Sequence, residues 1–273
     1  MLSSKEITQK WEGIAKGKSE LTIWKCLLLG ILAGMFIAFG ALGCTVVQSS
    51  VSGGLGKLLG ASVFPAGLIL VVMAGAELFT GNCLMAGPLS NHKIKASGLL
   101  RNWLFVYLGN MLGAYILVWI VCTSGFLWNE DLLRSAATIA LNKCTLPLDA
   151  ALLRGVGCNI LVCGAVWMAS GAQDAGGKAV CCFFPIMLFV LCGFEHSVAN
   201  MYYIPLGLRI SKTLGSSFPI HRYALIDLPE GFMEKVTWGN YLLHNLLPVT
   251  LGNIIGGAGL SVIYAKVYQT ENK

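Results

Sequence analysis

Six stretches of this 273-residue chain are apolar for long enough, or nearly so, to cross a lipid bilayer, and that fact restricts the fold more than any motif does. They run approximately over Leu21–Val47, Ser62–Phe79, Leu99–Phe126, Leu152–Ala169, Ala179–Gly193 with a continuation to Leu208, and Tyr241–Tyr264. A hydrocarbon core about 30 Å thick takes roughly 20 residues of α-helix to span. Charged residues make up only 12% of the chain, about half the share of an ordinary soluble domain. The sequence therefore predicts an all-α integral membrane protein with six transmembrane helices in one domain over residues 21–269. A short polar tail, 270–273, follows.

The segment before the first run is polar and Lys-rich, unlike a secretory signal, and the run itself is long, so it reads as a membrane helix. Within residues 1–20, Ile7, Trp11, Ile14 and Ala15 fall on one helical face, and Ser3 with Glu6 has the spacing of a capping box. This predicts an amphipathic helix lying in the membrane interface with Lys5, Lys10, Lys16 and Lys18 toward lipid headgroups. Lys93, Lys95, Arg101, Lys178, Lys266 and Lys273 fall on the same side of the membrane as the N-terminus. That bias places both termini in the cytoplasm, although the loop carrying Arg209, Lys212, Arg222 and Lys235 pulls the other way. Basic membrane flanks account for the net charge of +6 without a nucleic-acid partner.

The two halves of the chain resemble each other. "GAELFTGN", starting at Gly75, and "GFEHSVAN", starting at Gly193, share G-x-E-x-x-x-x-N, pairing Glu77 with Glu195 and Asn82 with Asn200. Downstream, "NWLFVYLGNMLGA" from Asn102 matches "NLLPVTLGNIIGG" from Asn245 in both asparagines and in the tripeptide LGN. Three membrane helices per half oblige the second half to enter from the opposite side, so the repeats are inverted. Such proteins place their permeation site near the midplane, where matching helices are interrupted.

A carboxylate near the bilayer centre costs about 2.5–3.5 kcal/mol on insertion scales. Glu77 and Glu195 are therefore expected to be buried and paired, serving as scaffold by accepting from backbone N–H groups freed where each helix breaks. A proton-carrying role is the alternative. Free N–H groups at the positive end of a half-helix also favour a small anion. His196 is the one titratable residue of the motif without a twin, because Leu78 stands at its place in the first half. An imidazole in general titrates near neutrality and can donate to a passing anion. The pairs Gly30/Gly34, Gly109/Gly113 and Gly252/Gly256 have the spacing that lets helices approach closely, within or between protomers. The ten cysteines contain no C-x-x-C pair and read as small packing residues, the adjacent Cys181 and Cys182 included.

At "AELFTGN", "FVYLGNMLGA", "GFEHSVANMYYIP" and "PVTLGNIIGG" the chain resembles the formate/nitrite transporter family over nearly its whole length. The resemblance implies homopentamers with one pore per protomer and six helices arranged as in an aquaporin. It also implies a second helix broken by an Ω loop and a fifth broken by an S loop. By position, His196 resembles the family's central histidine, Thr80 the Ω-loop threonine that can bond it, Asn159 the asparagine beside it and Lys143 the lysine of the outer vestibule. Phe64, Leu68, Leu78, Val162 and Phe189 fall where the family builds two hydrophobic constrictions. "NMYYIPLG", "NLLPVTLGN" and the long loop before the sixth helix are most similar to formate members, ahead of nitrite and hydrosulfide members.

The expected function is passage of a small monovalent anion, formate first, across the inner membrane, with protons as a second partner if His196 protonates the anion. No enzymatic activity, cofactor or metal is expected. A neutral-solute pore such as a water or glycerol channel finds no support in the twin G-x-E-x-x-x-x-N motifs. An intramembrane enzyme using Glu195 and His196 is also disfavoured, since the order is E-H with no second histidine a helical turn away.

Overall fold

The computed structural model describes residues 1–125, 127, 129–215 and 228–268. Phe126, Arg222, Lys273 and the expected tail at 270–273 lie outside these residues, as does the last residue of the expected channel domain. Among the described residues five helical stretches are long and apolar enough to cross a membrane, namely Ile23–Ser50, Gly53–Ala74, Ala96–Thr123, Leu148–Gly171 and Asn240–Val267. A shorter apolar helix, Ala175–Leu191, supplies the first part of a sixth passage.

In chain order, α1 (Ser4–Glu20) precedes α2 (Ile23–Ser50), the pair α3 (Gly53–Val63) and α4 (Ala66–Ala74), and the short α5 (Phe79–Asn82) and α6 (Ala86–Ser90). α7 (Ala96–Thr123) closes the first half. The second half repeats the order with α8 (Glu130–Cys144), α9 (Leu148–Gly171), α10 (Ala175–Leu191) and α11 (Ser197–Gly215). After a short α12 (Phe232–Lys235), a π-helical turn at Asn240–Leu246 leads into α13 (Leu247–Val267). The second passage starts nine residues upstream of the apolar run read from the sequence, because "GGLGKLLGA" with Lys57 is helical despite its polar look.

α8 was not expected as a helix. Its apolar residues Leu132, Leu133, Ala136, Ala137 and Ala140 recur at helical spacing and are buried, while Asn129 caps its start through a bond from the Leu132 amide. α8 is the counterpart of α1, so each half comprises an amphipathic helix followed by three membrane passages. α1 opens with the expected capping box, the Glu6 amide donating to Ser3 Oγ and the Ser3 amide to Glu6 Oε2. Its apolar face does not lie on lipid. Ile7, Trp11 and Ala15 are buried against the protein, in clusters that include Leu84, Trp167, Ile94 and Leu99. One of its lysines also turns inward: Lys18 Nζ pairs with Glu77, which corrects the expectation that it faces headgroups, whereas Lys10 stays exposed with its Nζ donating to the Ser170 carbonyl.

The glycine pairs act within the protomer. α2 crosses α7 with Gly30 against Gly109, and α9 crosses α13 with Gly155 against Gly252. A Cβ at Gly34 would sit 2.0 Å from the Asn110 carbonyl oxygen, and one at Gly113 2.0 Å from that of Ile31. At Gly252 and Gly256 it would sit 2.1 Å and 2.2 Å from the carbonyl oxygens of Leu152 and Val156. Backbone cannot yield as a side chain would. Gly34→Ala is expected to cost about 3 kcal/mol, the upper part of the overpacking range. Gly164→Ala, with nothing within 4 Å, should be neutral or stabilising by up to about 1 kcal/mol. Unfolding of the two purified variants in detergent checks the difference.

Candidate functional site

Each broken passage is built the same way. α4 ends at Gly75 in the left-handed region, φ 74°, and α10 leads to Gly193 at φ 71°. Glycine adopts that conformation without the steric cost other residues bear. Beyond each glycine the chain runs without helix to Leu78 and His196 and then starts α5 and α11.

The backbone groups at these breaks are satisfied by the two LGN asparagines. Asn110 Oδ1 accepts from the Phe79 amide at 2.9 Å, and its Nδ2 donates to the carbonyls of Gly30 and Glu77. Asn253 does the same in the second half, accepting from the Ser197 amide at 2.9 Å and donating to the carbonyls of Gly155 and Glu195. One uncharged side chain thus ties a break to two other elements. This corrects the expectation that the glutamates take those N–H groups.

The glutamates instead bind cations from the amphipathic helices. Glu77 meets Lys18 of α1, and Glu195 meets Lys143 of α8 at 2.9 and 3.0 Å. Asn82 Nδ2 donates to Glu77 and to Asn102 Oδ1, matching Asn200 Nδ2 to Glu195 and to Asn245 Oδ1. Asn102 and Asn245 return to the carbonyls of Lys18 and Lys143. Each network therefore holds one positive and one negative charge. Lys143, only 14% exposed and also 5.2 Å from the Tyr203 ring centroid, is not a free cation.

Symmetry ends one residue past each glutamate. His196 Nε2 lies 2.8 Å from Thr80 Oγ1 across the two breaks, and His196 Nδ1 accepts from the Ala199 amide at 3.1 Å, capping α11. Leu78, its twin, makes no such cap. The Thr80 carbonyl is held by Asn159 Nδ2 and Cys163 Sγ, both at 3.2 Å. His196 is 3% exposed and stacks on Phe189, with ring centroids 5.8 Å apart. Phe189 in turn meets Phe64 edge-on at 5.5 Å. Leu68, Leu78 and Val162 are buried in the same apolar cluster. The polar contact spanning both breaks is thus walled by apolar side chains.

The structure brings together Thr80, His196, Asn159, Phe64 and Phe189, and sets Lys143, Glu195 and Asn200 in a separate network beside them. The sequence reading missed Lys18 as the twin of Lys143, and Asn110 and Asn253 as caps. The repeated LGN was visible, but its role appears only once the chain's two breaks are in place.

Comparison with known proteins agrees with this geometry. The formate/nitrite transporter family model matches residues 5–267. The chain belongs to that family. Among relatives, a probable formate transporter of Methanothermobacter thermautotrophicus is 39% identical over 90% of this chain and 89% of its own length. The formate channel FocA of Escherichia coli (strain K12) is 35% identical over 91% of this chain and 88% of its own. A solved pentameric formate channel with formate bound superimposes with a TM-score of 0.77 at 35% identity, covering 91% of this chain and 98% of that one. An ion channel of the same family shares the fold, with a TM-score of 0.80 at 24% identity over 97% of this chain and 99% of that one. As a family member the protein is a membrane transporter rather than an enzyme.

Substitutions at two points test the scaffold. Asn253→Leu strands a buried N–H and two carbonyls, each costing about 1–3 kcal/mol, so destabilisation of at least about 3 kcal/mol is expected. Lys143→Met strands the Glu195 carboxylate at about 3–5 kcal/mol, and adding Glu195→Gln should recover much of that loss. Denaturation in detergent micelles reads both.

Proposed function

We propose that the protein conducts small monovalent anions, formate first, through a pore of its own in each protomer of a homopentamer. The observation that carries this reading is the His196–Thr80 contact of 2.8 Å, enclosed by apolar residues and lying between the two helix breaks. We place it in the inner membrane with both termini cytoplasmic. Phe64, Leu68, Leu78, Val162 and Phe189 act as constrictions whose apolar walls oppose passage of hydrated ions. Lys143, paired with Glu195, orders the outer approach instead of attracting anions as a bare charge.

Chemistry at the centre follows from the second nitrogen of the histidine. A backbone N–H is only a donor, so Nδ1 must present its lone pair to the Ala199 amide. The neutral ring therefore carries its proton on Nε2, the atom facing Thr80. An imidazolium would set Nδ1–H against Ala199 N–H and remove the cap. Loss of the Nε2 proton would leave an imidazolate. His196 accordingly works as a fixed hydrogen-bond donor, with the Thr80 hydroxyl relaying or sharing that bond, and does not carry protons across.

The amides of Phe79, Ser197 and Ala199 already have partners, so the anion meets side chains more than freed backbone. Ser197 Oγ and Asn159 Oδ1, both buried and unpartnered within the protein, adjoin this centre in the chain or through Thr80 and add polar capacity beside it.

Proteoliposomes carrying wild type, His196→Asn and His196→Phe test the reading, with formate flux, internal pH and an imposed membrane potential followed together. Wild-type flux should respond to the potential without a matching proton flux. His196→Phe should lower it about tenfold or more, equivalent to about 1.4 kcal/mol or more at the barrier, and His196→Asn, which keeps a donor, should lower it less. One proton moving per formate, abolished in both variants, would overturn the assignment of His196 as a donor.

A further inference from the structure

Among the described residues, a concentration of positive charge lies where α1 meets the segment leading into α7. Lys16 of α1, His92, Lys93 and Lys95 of the connection, and Arg101 of α7 line a surface cavity of about 600 Å³, with Glu20 as the one acid on its wall. Lys93 also reaches Glu12 at 3.6 Å, and one Arg101 nitrogen donates to the Ser19 carbonyl. Neither contact cancels the excess of cations. His92 is also the one non-glycine residue with positive φ among the described residues, at 58°. Strain of this kind is tolerated where surrounding structure enforces it, and it clusters at binding sites.

An apolar groove of about 450 Å³ lies along α7 next to this cavity, lined chiefly by Leu100, Trp103, Leu104, Leu246, Leu247 and Ile254. Its first residue, Leu100, is the chain neighbour of Arg101, and both Leu100 and Leu104 are more than half exposed. On a helix, positions 97, 100, 101 and 104 form one continuous face. The basic cavity and the apolar groove are therefore consecutive along α7. α7 has 28 residues, which makes it about 42 Å long, more than the roughly 30 Å hydrocarbon core. The helix is therefore long enough for one end to reach the headgroup region, and the basic cavity and the groove meet at that N-terminal end, at Arg101 and Leu100.

We propose that these two surfaces together bind one anionic phospholipid, its phosphate in the basic cavity and an acyl chain in the groove. Charge complementarity selects the anionic headgroup, and guanidinium and ammonium donors suit phosphate oxygens. Continuity with the groove selects a lipid over a soluble phosphate. The groove extends to Phe79, the residue before Thr80, so the acyl chain contacts the segment that carries the pore threonine. The lipid thereby fastens α1, α7 and the first helix break to one another. The proposal does not rest on which anion is transported.

The test uses purified full-length protein in detergent, titrated with phosphatidylglycerol or phosphatidylcholine and read by native mass spectrometry. Wild type should retain phosphatidylglycerol about tenfold better than phosphatidylcholine. The triple variant Lys93→Gln/Lys95→Gln/Arg101→Gln should lose that preference, and Leu247→Trp, which fills the groove without changing charge, should lower retention of both lipids. Circular dichroism and size-exclusion profiles of each variant establish that loss of lipid is not loss of fold. Equal retention of the two lipids by wild type would overturn the proposal. So would retention unaffected by the charge substitutions, or displacement of the lipid by millimolar inorganic phosphate, which would make the cavity a soluble-anion site. Crosslinking of a Leu104→Cys variant to a second copy of the chain instead of to a photoactivatable lipid would overturn it as well, since the groove would then be a protomer interface.

Discussion

A helix interrupted inside a membrane leaves donors and acceptors with no water to take them, and everything else in this protein follows from how that is resolved. The solution is two asparagine side chains, Asn110 and Asn253. Each supplies one acceptor to a restarted helix and two donors to carbonyls that would otherwise be stranded. An amide suits this task better than a carboxylate. It offers both kinds of group without a charge to desolvate. Because Asn110 sits on α7 and Asn253 on α13, each break is registered against a neighbouring long helix. Close approach of α2 to α7 and of α9 to α13, permitted by their glycines, brings the carbonyls of Gly30 and Gly155 within reach.

With the breaks held symmetrically, function is left to the positions where symmetry fails. Leu78 and His196 occupy equivalent places. The leucine contributes only apolar surface, whereas the histidine caps its helix with one nitrogen and reaches Thr80 with the other. A residue used as a cap has its tautomer and ring orientation fixed by the backbone. The contact between the two breaks is thus oriented by the same bond that starts α11.

The all-helical membrane architecture and the repeated motif were legible because apolar length and a matched eight-residue motif are properties of sequence alone. So was the singular status of His196. The partners of Glu77 and Glu195 were not. Lys18 and Lys143 lie 59 and 52 residues from their glutamates, in amphipathic segments whose matching is a matter of position more than of residue type. α8 was invisible for the same reason, since a short half-polar helix between two long apolar runs reads as a loop. "GGLGKLLGA" misled in the opposite sense, its glycines suggesting a connection where close packing of α2 and α3 demands small residues, as at Gly60 against Cys44 and Gln48.

The order of the ion pairs along the chain bears on how such a protein is made. In both halves the lysine precedes its glutamate, Lys18 before Glu77 and Lys143 before Glu195. During synthesis each carboxylate therefore emerges after the helix carrying its countercharge is already complete. Because the two halves cross the bilayer in opposite senses, the waiting cation stands on one side of the membrane for the first half and on the other side for the second. Assembly of each half can then be finished from its own membrane face, by an amphipathic helix that lies on that face.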